Sequence, residues 1–190
     1  MILSFINDKT YKNKDYSSKE LPKAEYNNCT FINCTFTDSY LSNNAFLECE
    51  FIDCNLSNVK TKGTTFNEVL FTNCKMIGFP FNTCNSMLLD ISFKSCNLSL
   101  ASFYQLNINS TNFNTCNLQS VDFTASNLTN ASFLDCDLEK AVFENTNLEK
   151  ADFTSAKNYS ISPEKNRIKG AKFSKEGLFG LLSMYKIIVE

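Results

Sequence analysis

In the stretch CNLQSVDFTASNLTNASF, Leu118, Phe123, Leu128 and Phe133 place a large apolar side chain at every fifth residue. Neither regular element accommodates that spacing. A helix repeats near 3.6 residues, so a step of five walks the side chain around its surface. A strand repeats at two, so an odd step sends it to the opposite side each time. The chain itself must therefore turn once per repeat. From Phe93 the register runs without a break through Leu98, Phe103, Ile108 and onward to Leu148 and Phe153. A first register runs from Tyr26 through Phe31, Phe36 and Leu41 to Phe81 and Ser86, with only Thr61 and Ser86 not large and apolar. Two extra residues separate the registers, around Met87–Ile91; Phe173 returns to the second, and with it 15 of the 18 Phe lie on them.

Two residues before each centre sits a mostly small residue: Cys29, Cys34, Ser39 and Asn44 early, Cys116, Val121, Ser126 and Ala131 later. Positions i and i−2 share a face in extended backbone. Each repeat is thus a short extended piece that turns one large and one small side chain inward and then bends. Cys34, Cys54 and Cys74 recur every 20 residues, as do Cys96, Cys116 and Cys136, so four repeats close a turn. Coils joined by backbone hydrogen bonds rise by about 4.8 Å each. The buried stripe of one coil is covered only by the next, so stability is shared between neighbours and both ends need caps.

The pattern of a small residue, Asn or Asp, Leu or Phe and two polar residues, as in CNLQS, SNLTN, CDLEK and TNLEK followed by ADFTS, resembles the pentapeptide-repeat proteins. The resemblance implies a right-handed quadrilateral β-helix. Plain repeats cover residues 24–157; residues 1–23 read as an irregular capping coil, and 158–190 as a final GAKF repeat followed by a cap. Asn and Asp supply turn hydrogen bonds at the corners, where glycine is scarce.

Nine cysteines occupy the small inward position, are odd in number and form no CxxC, so they read as apolar filler in place of disulfides or metal ligands. The chain contains no histidine, which removes the common mixed zinc sets and the usual base for a Ser or Cys nucleophile. No phosphate-binding glycine loop is present. A non-enzymatic protein with no metal and no cofactor is expected. The opening MILSFINDKT lacks the basic start of a signal peptide, and no apolar run approaches the roughly 20 residues of a membrane span. With many thiols and no export signal, a cytoplasmic location is expected.

Two features point outward. Residues 27–157 hold 13 acids against 7 lysines. The densest part, residues 134–153, carries Asp135, Asp137, Glu139, Glu144, Glu149 and Asp152 against Lys140 and Lys150. Such a surface repels phosphates and is not expected to bind nucleic acid directly, but it suits a protein that itself binds DNA. Beyond the last repeat, EGLFGLLSMYKIIVE clusters Leu178, Phe179, Leu181, Leu182, Met184 and Tyr185 at near-helical spacing, with a short strand expected over 185–189. A contiguous apolar patch of this kind marks an interface, here a homodimer contact.

This ending resembles the C-terminal module of the Qnr and MfpA branch, which joins two rods tip to tip. That likeness implies a mimic of duplex DNA that binds DNA gyrase or topoisomerase IV and reduces fluoroquinolone action, with the acids of the last coils as the contact. The long loops of the plasmid-borne Qnr members have no counterpart here. The alternative is a structural or adaptor rod for another protein partner, since a fold alone does not decide function.

Overall fold

The structure, a computed structural model, describes residues 4–187. It is a right-handed quadrilateral β-helix made of parallel coils. One side stacks Ser4–Asn7, Ala24–Asn27, Ala45–Leu47 and Thr65–Asn67. The adjacent side stacks nine strands, from Thr10–Lys12 at the bottom to Lys172–Phe173 at the top, which spans eight coil steps. At about 4.8 Å per step the rod is roughly 40 Å tall. The other two sides are held by single parallel bridges, such as Asp15–Thr35–Asn55–Lys75 and Ser102–Asp122–Val142.

The register is the one the sequence spells. Every centre from Tyr26 to Phe153 is buried except Ser86, and so is every residue two before a centre. On the nine-stranded side, Tyr11, Phe31, Phe51, Phe71, Phe93, Phe113, Phe133, Phe153 and Phe173 form one continuous ring stack. Neighbouring centroids lie 4.5–5.5 Å apart, with interplanar angles of 4° to 18°. A second stack, Phe81–Phe103–Phe123–Phe143, meets it edge-on. Offset stacks and edge contacts are the two arrangements that aromatic quadrupoles favour.

Six cysteines form a column on a third side, each thiol aimed at backbone carbonyls. Cys54 Sγ donates to Phe31 O at 3.3 Å, Cys74 Sγ to Phe51 O at 3.3 Å and Cys136 Sγ to Phe113 O at 3.5 Å. All nine cysteines are buried and unpaired.

Most corners are built without glycine, which takes the turn at Gly63, Gly78 and Gly170. Two residues after most centres the backbone enters the left-handed region, at Asn28, Asn33 and Asp53 but also at Leu100, Ala125 and Lys140. A left-handed conformation costs an ordinary residue about 1–2 kcal/mol. Most of these residues recover a backbone hydrogen bond to the coil above, as in Asn28 N to Leu47 O (2.9 Å) and Ser120 N to Glu139 O (2.9 Å). Asn or Asp one residue before a centre accepts a backbone N–H two residues on, as Asn127 Oδ1 does from Thr129.

Three places depart from expectation. The opening coil is regular: Ser4 pairs with Ala24 and Thr10 with Thr30 in the same 20-residue register. Apart from Leu21 its side chains are not enclosed, since no described coil lies beneath it. The two inserted residues lengthen one step to 22, pairing Phe71 with Phe93, and are absorbed in a 3-10 turn over Ser86–Leu88. Met87 and Leu88 point outward there while Leu89 packs partly on the core. Thr61, small at a large position, is buried beside Phe79, large at the small position of the next coil, and it donates to Pro80 O at 3.1 Å.

The top is closed by three consecutive short helical turns: Glu176–Leu178, Phe179–Leu182 and Ser183–Tyr185. The expected strand over 185–189 is not formed in its described part. Tyr185 ends a helical turn and Lys186 adopts a left-handed conformation, which turns the chain away from extended pairing. Residues 188–190 lie outside the described residues.

Candidate protein-binding surfaces

Asp135, Asp137, Glu139, Glu144, Glu149 and Asp152 fall in one coil, but a coil has four sides. Asp135 occupies a left-handed corner. Asp137 and Glu139 share the side of the cysteine column, while Glu144, Glu149 and Asp152 take one each of the remaining three, so the acids form a collar and not a single face. Lysines temper it: Lys165 Nζ lies 3.0 Å from Glu144, Lys172 Nζ 3.5 Å from Asp152 and Lys140 Nζ 3.3 Å from Glu139.

Asp137 and Glu139 are the most organised pair. Gln119 Nε2 donates to Asp137 Oδ2 at 3.0 Å and to Glu139 Oε2 at 3.4 Å, and Asn158 Nδ2 donates to Asp137 Oδ1 at 2.8 Å. Partial burial pushes the Asp137 carboxyl up, but these donors outweigh it and hold the group below the usual carboxylate range. The Thr154 hydroxyl and backbone N–H, helped by Lys172, do the same for Asp152. Both carboxyls are charged at neutral pH.

The C-terminal residues separate into a buried and an outward set. Leu181 packs partly on the core. Leu178, Phe179, Leu182, Met184 and Tyr185 are 40–56% exposed, and Ile187, which the sequence reading did not single out, joins them. What seats this cap is a contact that apolar patterning does not signal. Gly177 and Gly180 lie directly against Tyr159, so close that a Cβ at Gly180 would come within 2.4 Å of the Tyr159 carbonyl oxygen. Gly180 O accepts from Ile161 N at 2.9 Å, and the Tyr185 hydroxyl donates to Glu164 Oε1 at 2.7 Å. Cap and collar meet in a hollow of about 270 Å³ lined by Val142, Glu144, Lys165 and Met184.

A shallow open groove of about 420 Å³ is lined largely by amides, including Asn127, Asn145, Asn147 and Asn166, with Lys165 and Arg167 at its rim. Asn166 is fully used, its amide donating to Phe143 O and Ser162 O and accepting from Thr146 N. Among the described residues, no cluster of three or more Cys, Asp or Glu is placed to hold a metal ion, and no helix is long and apolar enough to cross a membrane.

Comparison with known proteins places this geometry. The chain resembles a trypsin-treated form of QnrB1, a plasmid-mediated fluoroquinolone resistance protein, with a TM-score of 0.63 at 16% identity over 98% of this chain and 100% of that one. It resembles HetL, a pentapeptide repeat protein involved in heterocyst differentiation regulation from the cyanobacterium Nostoc sp. strain PCC 7120, with a TM-score of 0.74 at 15% identity over 92% of this chain and 88% of that one. At these identities the likeness is one of fold. No curated protein matches the chain in sequence. Residues 24–87 and 81–153 match the pentapeptide repeat region family, and with each repeat confirmed in the coils, the chain belongs to that family.

Proposed function

We propose that this chain is a non-enzymatic binding protein. Two rods join through the outward apolar residues of the C-terminal cap and present their acidic coils to a type II topoisomerase, DNA gyrase in the first instance, in place of DNA. The continuity of cap and collar carries this reading: Met184 of the cap and Glu144 of the acidic coil line one hollow, so a two-fold contact at the cap sets two collars on either side of its axis. Negative charge on both sides of such an axis is what a positively charged DNA-binding groove would receive. The protein works in the cytoplasm on this reading, where gyrase does.

A supercoiling assay with purified gyrase tests it. Added rod should inhibit supercoiling or relieve a fluoroquinolone block, and the double change Asp137→Lys with Glu139→Lys should weaken both effects without altering the fold. A second reading, an adaptor rod for a different protein, is favoured by the spread of the collar over four sides and by its three lysine partners. A folded rod in excess that leaves gyrase unchanged, with and without the drug, selects it.

A further inference from the structure

The two ends of the rod are closed by different means. At the top a helical cap covers the last coil. At the bottom, no described residue covers the first. Ser4–Asn7 and Thr10–Lys12 are end strands of their sheets, and the bridges at Asp15 and Glu20 likewise point only upward. In the higher coils the residue before a centre, Pro80 excepted, donates its N–H to the coil beneath, as Thr30 N does to Lys9 O (2.9 Å), Thr35 N to Lys14 O (2.9 Å) and Tyr40 N to Lys19 O (2.9 Å). The equivalent donors of the first coil, on Phe5, Thr10, Asp15 and Glu20, have no partner among the described residues. A regular coil with free donors and acceptors is a template for a further strand.

The side chains of that coil change in one position only. Its large centres keep the pattern: Ile6, Tyr11 and Tyr16 are half-buried and Leu21 is buried, with Tyr11 and Tyr16 stacked on Phe31 and Phe36 at 4.8 and 5.0 Å. Its small positions, filled in every higher coil by small or apolar buried residues, hold Ser4, Lys9, Lys14 and Lys19, all exposed. The three lysines stand on three of the four sides, and among the described residues none is within ion-pair distance of a carboxylate. Lysine suits the place, because its stem can lie over the apolar centres while the ammonium stays in water.

We propose that Lys9, Lys14 and Lys19 form a charged gate that keeps the open end from pairing with the same end of a second copy. Two such ends brought together about a two-fold axis would match strand to strand, but would force six ammonium groups into the closing layer. Burying uncompensated charge outweighs the few edge hydrogen bonds gained. The gate leaves the opposite end as the place where two rods can join.

The test replaces all three lysines by serine, the residue already at the fourth side, in the Leu182→Glu background that removes the C-terminal contact. Mass is read by light scattering. The triple lysine variant should double its mass, and 0.5 M salt should not reverse the pairing. The prediction runs against bulk charge: Leu182→Glu takes the formal net charge from −2 to −3, and the three lysine substitutions take it on to −6, which disfavours association in general. A control with Lys60, Lys75 and Lys94 changed to serine, all exposed on the sides of the rod, should keep the parent mass. A triple variant with native circular dichroism and unchanged mass overturns the gate, as does a side-lysine control that associates equally. Neither result depends on whether gyrase is the partner or on whether the parent dimerises.

Discussion

Removing one ring from the middle of the nine-membered stack measures how far stability is shared between coils. Phe113 is fully buried. It lies parallel to Phe93 and Phe133 at 5.2 Å each, and edge-on to Phe103 and Phe123 at 5.8 and 5.9 Å. Truncating a buried Phe to Ala costs about 3–5 kcal/mol, and four aromatic contacts with well-held neighbours put Phe113→Ala toward the upper part of that range. Phe173 ends the same stack. It is only half-buried and keeps one parallel partner, Phe153 at 5.3 Å, with a tilted contact to Tyr159 at 5.6 Å. Phe173→Ala should cost about half as much, or roughly 2 kcal/mol. In urea, with a slope of about 2 kcal/mol per molar, the midpoint should fall by about 2 M for Phe113→Ala and about 1 M for Phe173→Ala. Equal shifts, or a loss under about 1 kcal/mol at Phe113, would refute the idea that each coil is stabilised by the coils on both sides.

Cys116→Asp should cost about 3–5 kcal/mol by burying a carboxylate in the thiol column, whereas Thr115→Asp, at an exposed left-handed corner, should leave the melting temperature within a degree or two. Gly180→Ala should lift the helical cap off Tyr159, seen as raised protease sensitivity near residue 180 while the circular dichroism of the coils is unchanged; a cap as resistant as the parent's would count against the close contact. Burial pushes the Cys49 and Cys84 thiols up to about 12. A raised folded-state pKa contributes stability that is complete below the unfolded value near 9 and is lost as pH climbs toward 12, so the melting temperature should hold from pH 7 to 8.5 and fall steadily above pH 9. A flat profile to pH 11 would mean that those thiols ionise as readily in the rod as in the unfolded chain.

The coils were legible because a period of five admits one solution, and each buried centre repeats it. What the sequence concealed is local. The lysines at positions 9, 14 and 19 read as a break in the pattern, yet the backbone beneath them is regular, because hydrogen bonds to the coil above set it regardless of what the free side carries. The acids of residues 134–153 read as one dense patch, but a 20-residue coil distributes them over four sides, so linear charge density overstates the field on any face. The cap was visible as an apolar cluster. Its seating was not, since Gly177 and Gly180 act through the absence of a side chain against Tyr159. In its described part the extended end expected over 185–189 is instead a helical turn and a left-handed Lys186, and among the described residues no strand lies beyond Lys172–Phe173 for it to pair with.

The central claim is that the rod occupies the place of DNA on a type II topoisomerase. Binding of the purified chain to gyrase, followed by fluorescence anisotropy while linear duplex DNA is titrated in, tests it most directly. The account predicts that the rod binds, that duplex DNA displaces it competitively, and that its affinity falls as salt rises. Binding that duplex DNA does not disturb, or no binding at low salt by a rod shown to be folded, would contradict it.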